Sequence, residues 1–262
     1  MSERQASELT TRIGVGIILI VMAALAVWQG GFAYWALLTG GALIMQSEFG
    51  GLLKVDDKQR RLAMFALCIP LGIVAPLAAG LGFFGLGVLI GMAIAVATVT
   101  RNPALGGGML YIGIPVFALL WLRMRPGDEG LLYAFWALSL VWATDIGAYF
   151  AGRSIGGPKI APSISPNKTW AGLGGGMLGA LLLGWALNHF AGLPVLLALA
   201  SPVLAVFAQA GDFFESWMKR RAGVKDSGTL LPGHGGALDR LDGLVTSAPI
   251  AALLVAASMA GA

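Results

Sequence analysis

Charge is what this 262-residue sequence has least of. Only 11% of its residues are Asp, Glu, Lys or Arg, against roughly one quarter in an ordinary soluble domain. The 17 Lys and Arg nearly balance the 13 acids, which leaves no strongly basic face for nucleic acid and no charge excess of the kind that keeps a chain disordered. One cysteine, Cys68, sits in an apolar run, so a disulfide framework, a cysteine zinc cluster and a CxxC redox pair are excluded. Two histidines provide no His/Cys set at zinc spacing. No ten-residue alternation of apolar and polar residues recurs, which argues against a membrane barrel. Pro- or Ser-rich linkers and internal repeats are missing, so residues 1–262 read as a single membrane domain. The first apolar stretch lacks a cleavage site and reads as a retained span.

What the sequence has in abundance is apolar length. Hydrophobic residues make up 57% of the chain and the mean hydropathy is +0.81, which excludes a soluble enzyme. A helix needs about 20 largely apolar residues to cross the hydrocarbon core. Nine stretches qualify: about 13–28, 32–45, 62–79, 81–100, 105–122, 131–151, 170–190, 193–211 and 244–260, with Gly30-Gly31 blurring the first boundary. The expected architecture is an all-α, polytopic integral membrane helical bundle of about nine transmembrane helices. Lys and Arg set its orientation. They lie before the first span and in segments 46–61, 101–104, 152–169 and 212–243; the alternate loops hold only Arg123 and Arg125. This places the N-terminus in the cytoplasm and the C-terminus outside, in a multi-pass protein of the inner cell membrane.

Gly172, Gly176, Ala180 and Gly184 recur every four residues on one helix face. Small residues let helix backbones approach closely in lipid, either within the chain or across a homodimer seam. Pro70, Pro76 and Pro115 are expected to kink their spans.

Polar residues concentrate in two cytoplasmic segments, 144–170 and 211–243. In the first, Asp145 lies about six residues inside its span, or about 9 Å at 1.5 Å per residue. Such a carboxylate needs a partner or a wet cavity. Tyr149 and Arg153 follow at one-turn intervals, so Asp145 belongs either to a structural pair between helices or to the wall of a pocket open to the cytosol. GRSIGGPK fails as a phosphate-binding Walker loop, because Pro158 separates Gly157 from Lys159 and no Ser or Thr follows the lysine. Ser165, Asn167, Lys168 and Thr169 gather donors at the expected start of the seventh span, a place suited to a phosphate; capping would explain only one of them.

In the second segment, Asp212, Glu215, Ser216, Lys219 and Arg220 share an arc of about 140° on a helical wheel at 100° per residue. They are expected to face the loop, with Phe213, Phe214, Trp217 and Met218 opposite. A glycine-rich turn around His234, Gly235 and Gly236 leads to Asp239, Arg240 and Asp242. Five aspartates, Asp145, Asp212, Asp226, Asp239 and Asp242, fall in the two segments. Carboxylate oxygens suit magnesium, which bridges protein acids and substrate phosphates. Ser216 and His234 lack the elbow of a nucleophilic triad.

At these residues the sequence resembles the phosphatidate cytidylyltransferases (CDP-diacylglycerol synthases). Ser216, Lys219-Arg220, Lys225-Asp226, His234-Gly235-Gly236 and Asp239-Arg240-Leu241-Asp242 follow the family signature in order and spacing. TDIGAYFAGR and SPNKTW resemble two further family segments, with Ala171 where the family usually has Glu. The resemblance covers about 100 residues, 144–243. It implies transfer of CMP from CTP to phosphatidic acid, with CDP-diacylglycerol and pyrophosphate as products. It further implies a magnesium-dependent, multi-span, dimeric enzyme whose polar funnel opens to the cytosol.

By position, the family's metal-binding acids fall on Asp212 and Asp239, with Asp145, Asp226 and Asp242 as candidates for a second cation or a supporting role. Lys168, Lys219, Arg220, Lys225 and Arg240 are expected to bind the lipid phosphate and the leaving group. Ser165, Asn167, Thr169, Ser216, His234, Gly235 and Gly236 complete the expected substrate contacts. Two rivals remain at this point. One is a CTP-dependent kinase of a lipid alcohol such as a polyprenol or phytol. The other is a transporter, which predicts repeated halves and polar residues at the midplane of several spans.

Overall fold

The computed structural model describes residues 3–78, 82–228 and 235–260, and side chains from residue 14 onward except those of 15 and 19. Among the described residues there are nine helices: α1 (Glu3–Gln29), α2 (Gly31–Leu52), α3 (Asp57–Ile73), α4 (Phe83–Thr100), α5 (Pro103–Arg123), α6 (Glu129–Ser154), α7 (Trp170–Ala191), α8 (Val195–Ala222) and α9 (Leu238–Ala260). Each overlaps one expected span. Six of them, α4 to α9, are long and apolar enough to cross a membrane, and α1 contains a shorter apolar stretch, Gly16–Gln29. Large apolar side chains such as Ile94, Leu182 and Leu253 stand exposed on their outer faces, which only lipid would shield from water. The chain is therefore an all-α integral membrane protein but for one short hairpin, β1 (Lys159–Ala161) with β2 (Ser165–Thr169).

The helices group into two compact units, Met1–Leu120 with Arg221–Leu241, and Trp121–Arg220 with Asp242–Ala262. In the first unit, α1 stops at Gln29 because Gly30 takes a positive φ of 66°, where side-chain-bearing residues are strained. The Trp35 indole donates to the Leu71 carbonyl at 2.8 Å, joining α2 to α3. Asp56 caps α3 by accepting from the Gln59 amide at 2.8 Å. Gln59 in turn donates to the Thr100 carbonyl at the end of α4. Asn102 accepts from the Leu105 amide and Pro103 opens α5, a position where its missing N–H costs nothing. Pro70 and Pro115 lie inside α3 and α5 as expected, but Pro76 does not lie in a helix. Helix α3 ends at Ile73, three residues short of it, since the residue before a proline disfavours the helical region.

In the second unit the buried stripe of α7 is Gly172, Gly176, Ala180 and Gly184, and its partners are within the unit. A methyl at Gly179 would stand 2.6 Å from the Ala143 carbonyl oxygen of α6. One at Gly147 would collide with the Gly175 carbonyl, and one at Gly184 would stand 2.5 Å from Ser201 Oγ of α8. The small residues therefore serve intramolecular packing. Trp136 is fully buried and donates its indole N–H to Ser201 Oγ at 3.0 Å.

Candidate active site

The second unit encloses a cavity of about 270 Å³. Helix α6 contributes Asp145 and Tyr149, β2 contributes Ser165, Asn167 and Lys168, Thr169 joins strand to helix, and α8 contributes Gln209 and Asp212. Local sequence explains the assembly. Gly156 and Gly157 take φ of 68° and 92°, which turns the chain after α6 into β1. The stretch that superficially suggested a phosphate loop is thus the entry to a hairpin. Lys159 pairs with Thr169 and Ala161 with Ser165, and the Trp170 amide donates to the Pro158 carbonyl. Ser165, Asn167 and Lys168 accordingly stand on a strand, and only Thr169 is a helix cap, accepting from the Gly172 amide at 3.0 Å. The expectation that all four open the seventh helix is corrected in this respect, although all four line the cavity.

Lys168 forms an ion pair with Asp212 and lies 4.8 Å from the centre of the Phe213 ring. Asp212 also accepts from Ser216 Oγ at 3.3 Å. Asp145 and Asp242 both feel the charges of Asp212 and Lys168, and Asp242 accepts from the Gly243 amide at 2.7 Å. Arg153 donates to the Tyr149 hydroxyl at 2.6 Å, and Asp145 lines the cavity. Arg220 reaches the Ile164 carbonyl in the hairpin turn at 3.4 Å. The polar arc of α8 does not face the loop throughout, however. Glu215 is fully buried and pairs with Lys219 at 2.6 Å, because an ion pair one turn apart can be enclosed where a lone carboxylate could not.

The remaining expected residues belong to the first unit. Asp239, in the first turn of α9, accepts through one carboxylate oxygen from the Ser227 amide (2.9 Å), Ser227 Oγ (3.0 Å) and the Gly236 amide (2.8 Å). Gly235 has a φ of 81°, and a methyl there would stand 2.9 Å from the same Asp239 oxygen and 3.6 Å from Asp226. Lys225, Asp226 and Arg240 are exposed. His234 lies outside the described residues.

Sequence reasoning passed over Glu48 of α2. It is buried and caps α9: its carboxylate accepts from the Ala237 amide at 3.0 Å, the Leu238 amide at 2.8 Å and Ser227 Oγ at 3.2 Å. An acid at a helix N-terminus meets both the unpaired amides and the positive end of the dipole. A glutamate followed by Phe and Gly-Gly at the end of an apolar run, some 190 residues from its partners, left no local signal. Gln209 was also passed over, although it precedes Asp212 by one turn on the same face.

Among the described residues, no group of three or more His, Cys, Asp or Glu side chains is arranged to hold a metal ion. Magnesium commonly takes one or two carboxylates and completes its shell with water and phosphate. The donor chemistry fits it: Asp145, Asp212 and Asp242 are hard oxygen ligands that repel one another across a region where Lys168 provides the counter-charge.

Residues 10–258 match the sequence profile of the cytidylyltransferase family. A phosphatidate cytidylyltransferase of Brucella suis is 39% identical over 264 residues, covering 93% of this chain and 92% of the relative. A protein of the same name from Bacillus subtilis is 44% identical over 150 residues, with 56% and 55% covered. Another from Staphylococcus epidermidis is 47% identical over 148 residues, 55% of each chain.

Proposed function

Because the chain belongs to the cytidylyltransferase family, we propose that it transfers CMP from CTP to phosphatidic acid, giving CDP-diacylglycerol and pyrophosphate in phospholipid biosynthesis. The observation that carries this reading is the similarity to phosphatidate cytidylyltransferases across 93% of the chain. The family match, residues 10–258, takes in every expected site residue.

The chemistry asks little of a protein nucleophile. An oxygen of the lipid phosphate bonds to the α-phosphorus of CTP as the bond to the bridging oxygen breaks, and pyrophosphate carries the electron pair away. Alignment and charge neutralisation supply the rate. Lys168, Lys219, Arg220, Lys225 and Arg240 bind the phosphates. Ser165, Asn167, Thr169, Ser216, His234, Gly235 and Gly236 contribute polar contacts around them. Asp212 and Asp239 are the acids that would hold magnesium, and Asp145, Asp226 and Asp242 those that would hold a second cation or orient the substrates. Bound there, magnesium supplies positive charge against the nucleotide phosphates. The hard donor set around Asp212 and the hydrogen bonds that fix the Asp239 carboxylate support these assignments.

Nine spans, a cytoplasmic N-terminus, an external C-terminus and a catalytic face toward the cytosol extend the same reading. The distribution of Lys and Arg supports them. Membrane-impermeant labelling of single cysteines placed at either end of a Cys68→Ser chain tests the sidedness; both ends on one side would refute it. A homodimer is also proposed, through a face other than the internally packed stripe of α7. Intact-mass measurement from membranes tests it, and a monomer would refute it. The activity is tested by incubating the purified chain with phosphatidic acid and CTP labelled in the α or γ position. Label from the α position in lipid, with release of pyrophosphate, is the expected result. Transfer of the γ-phosphate to a lipid alcohol, or no covalent transfer, would overturn the reading.

A further inference from the structure

We propose that Arg153 binds the phosphate of the lipid substrate, an inference that rests on the cytidylyltransferase reading above and adds a residue to the site. Arg153 stands in the last turn of α6 and is exposed. It donates from Nη1 to the Tyr149 hydroxyl at 2.6 Å, and its guanidinium carbon lies 5.9 Å from the centre of the Tyr149 ring. Tyr149 lines the cavity, as does Gly152, which precedes Arg153 in the chain. Among the described residues no carboxylate pairs with Arg153. A guanidinium has five N–H donors. With the described bond going to a neutral hydroxyl, its fork remains available to an anion at the rim of the cavity.

The face on which Arg153 stands selects the anion. At about 100° per residue, the cavity-lining Asp145, Ala148, Tyr149 and Gly152 occupy one arc of α6, about 100° wide. Trp142, Ile146 and Phe150 occupy the adjoining arc and are 52%, 59% and 63% exposed. Arg153 ends that second arc, and its bond to Tyr149 spans the boundary between the two. An exposed apolar stripe of this kind belongs against hydrocarbon, with the cation at its end reaching headgroup level. The arrangement matches an amphiphile, its acyl chains along the stripe and its phosphate on Arg153 beside the cavity. CTP has no apolar part to place there. Phosphatidic acid has one, and its phosphomonoester offers the paired oxygens that a planar fork takes. A cation in the last turn also suits the helix dipole, but a lysine would serve that purpose equally.

The test uses the full-length chain in detergent micelles, with Arg153→Gln, Arg153→Lys and Tyr149→Phe beside the natural protein. CMP transfer is followed at varied phosphatidic acid with CTP saturating, and the reverse. Arg153→Gln is expected to raise the KM for phosphatidic acid about tenfold or more, the effect of losing hydrogen bonds to a charged group, with the KM for CTP unchanged. Arg153→Lys keeps the charge at the helix end without the fork. It should melt as the natural protein does and recover that KM only in part. Tyr149→Phe frees the guanidinium from its anchor and should raise the same KM by a smaller factor. Melting temperature is read in parallel with dioctanoyl phosphatidic acid, dioctanoylglycerol or CTP added. Arg153→Gln should lose the rise produced by the phosphatidic acid and keep the rise produced by CTP, while dioctanoylglycerol acts on both chains alike.

An unchanged KM for phosphatidic acid, or a rise shared equally with CTP, overturns the proposal. Should Arg153→Gln not fold, the same comparisons are read from Arg153→Lys. If the natural chain transfers no CMP, the family reading fails on its own. The Arg153 inference is then judged by the rise in melting temperature with dioctanoyl phosphatidic acid; it falls if the natural chain shows no rise or if Arg153→Gln retains it.

Discussion

Replacing Glu48 with alanine removes the acceptor for two backbone amides at the start of α9 and for the Ser227 hydroxyl. Hydrogen bonds to a charged group contribute about 1.5–3 kcal/mol each. Taking the low end for the two amides, which are buried and have no water to turn to, gives a loss of about 3 kcal/mol. At about 2–4 °C per kcal/mol for a chain of this size, the melting temperature should fall by about 6–12 °C. Glu48→Gln keeps one carbonyl oxygen and should lose about half as much. Tryptophan fluorescence during heating in detergent micelles reads both. Turnover should fall as well, because the Ser227 hydroxyl that Glu48 holds also reaches Asp239 at 3.0 Å. An alanine variant that melts within about 2 °C of the natural protein would refute the capping argument.

Asp239→Asn should abolish CMP transfer while membrane insertion and melting temperature are retained; substantial activity in that variant counts against a metal-binding acid at this position. Lys168→Met should lower CMP transfer by about tenfold or more through loss of a charge aimed at phosphate. Its partly exposed pairing with Asp212 should cost less than about 1 kcal/mol in stability, and a large drop in melting temperature without a kinetic defect would contradict the catalytic assignment. Gly175→Leu should prevent α6 and α7 from meeting, since a methyl there already falls 2.6 Å from the Gly147 carbonyl oxygen and collides with Ala151. Poor yield of folded protein is the expected outcome, and normal melting behaviour would refute close backbone packing.

The helices were legible because each carries a long apolar run with small residues or polar loops at its ends. Boundaries were less so. Helix α2 runs on through Gln46 and Glu48 to Leu52, since those polar side chains find burial inside the first unit where a hydropathy reading sees a span ending. The hairpin escaped notice because strands of three and five residues are too short to display a period. Asp145, Lys168 and Asp212 were identifiable as chemistry-bearing residues, being charges at the ends of apolar segments, and the fold gathers them with Asp242 in one unit. Glu48 was not, because its role depends on neighbours distant in sequence, the amides that open α9.

The contact between α6 and α7 has a corollary for how such a protein can vary. Gly147 meets Gly175 and Gly179 meets the Ala143 carbonyl main chain to main chain, so a larger side chain at any of these glycines would force the two helices apart. Width cannot be adjusted there by point substitution. Changes in the size of molecule admitted have to come from side chains that line the cavity, such as Tyr149 of α6, Asn167 of the hairpin and Asp212 of α8, and attempts to redesign selectivity should begin there.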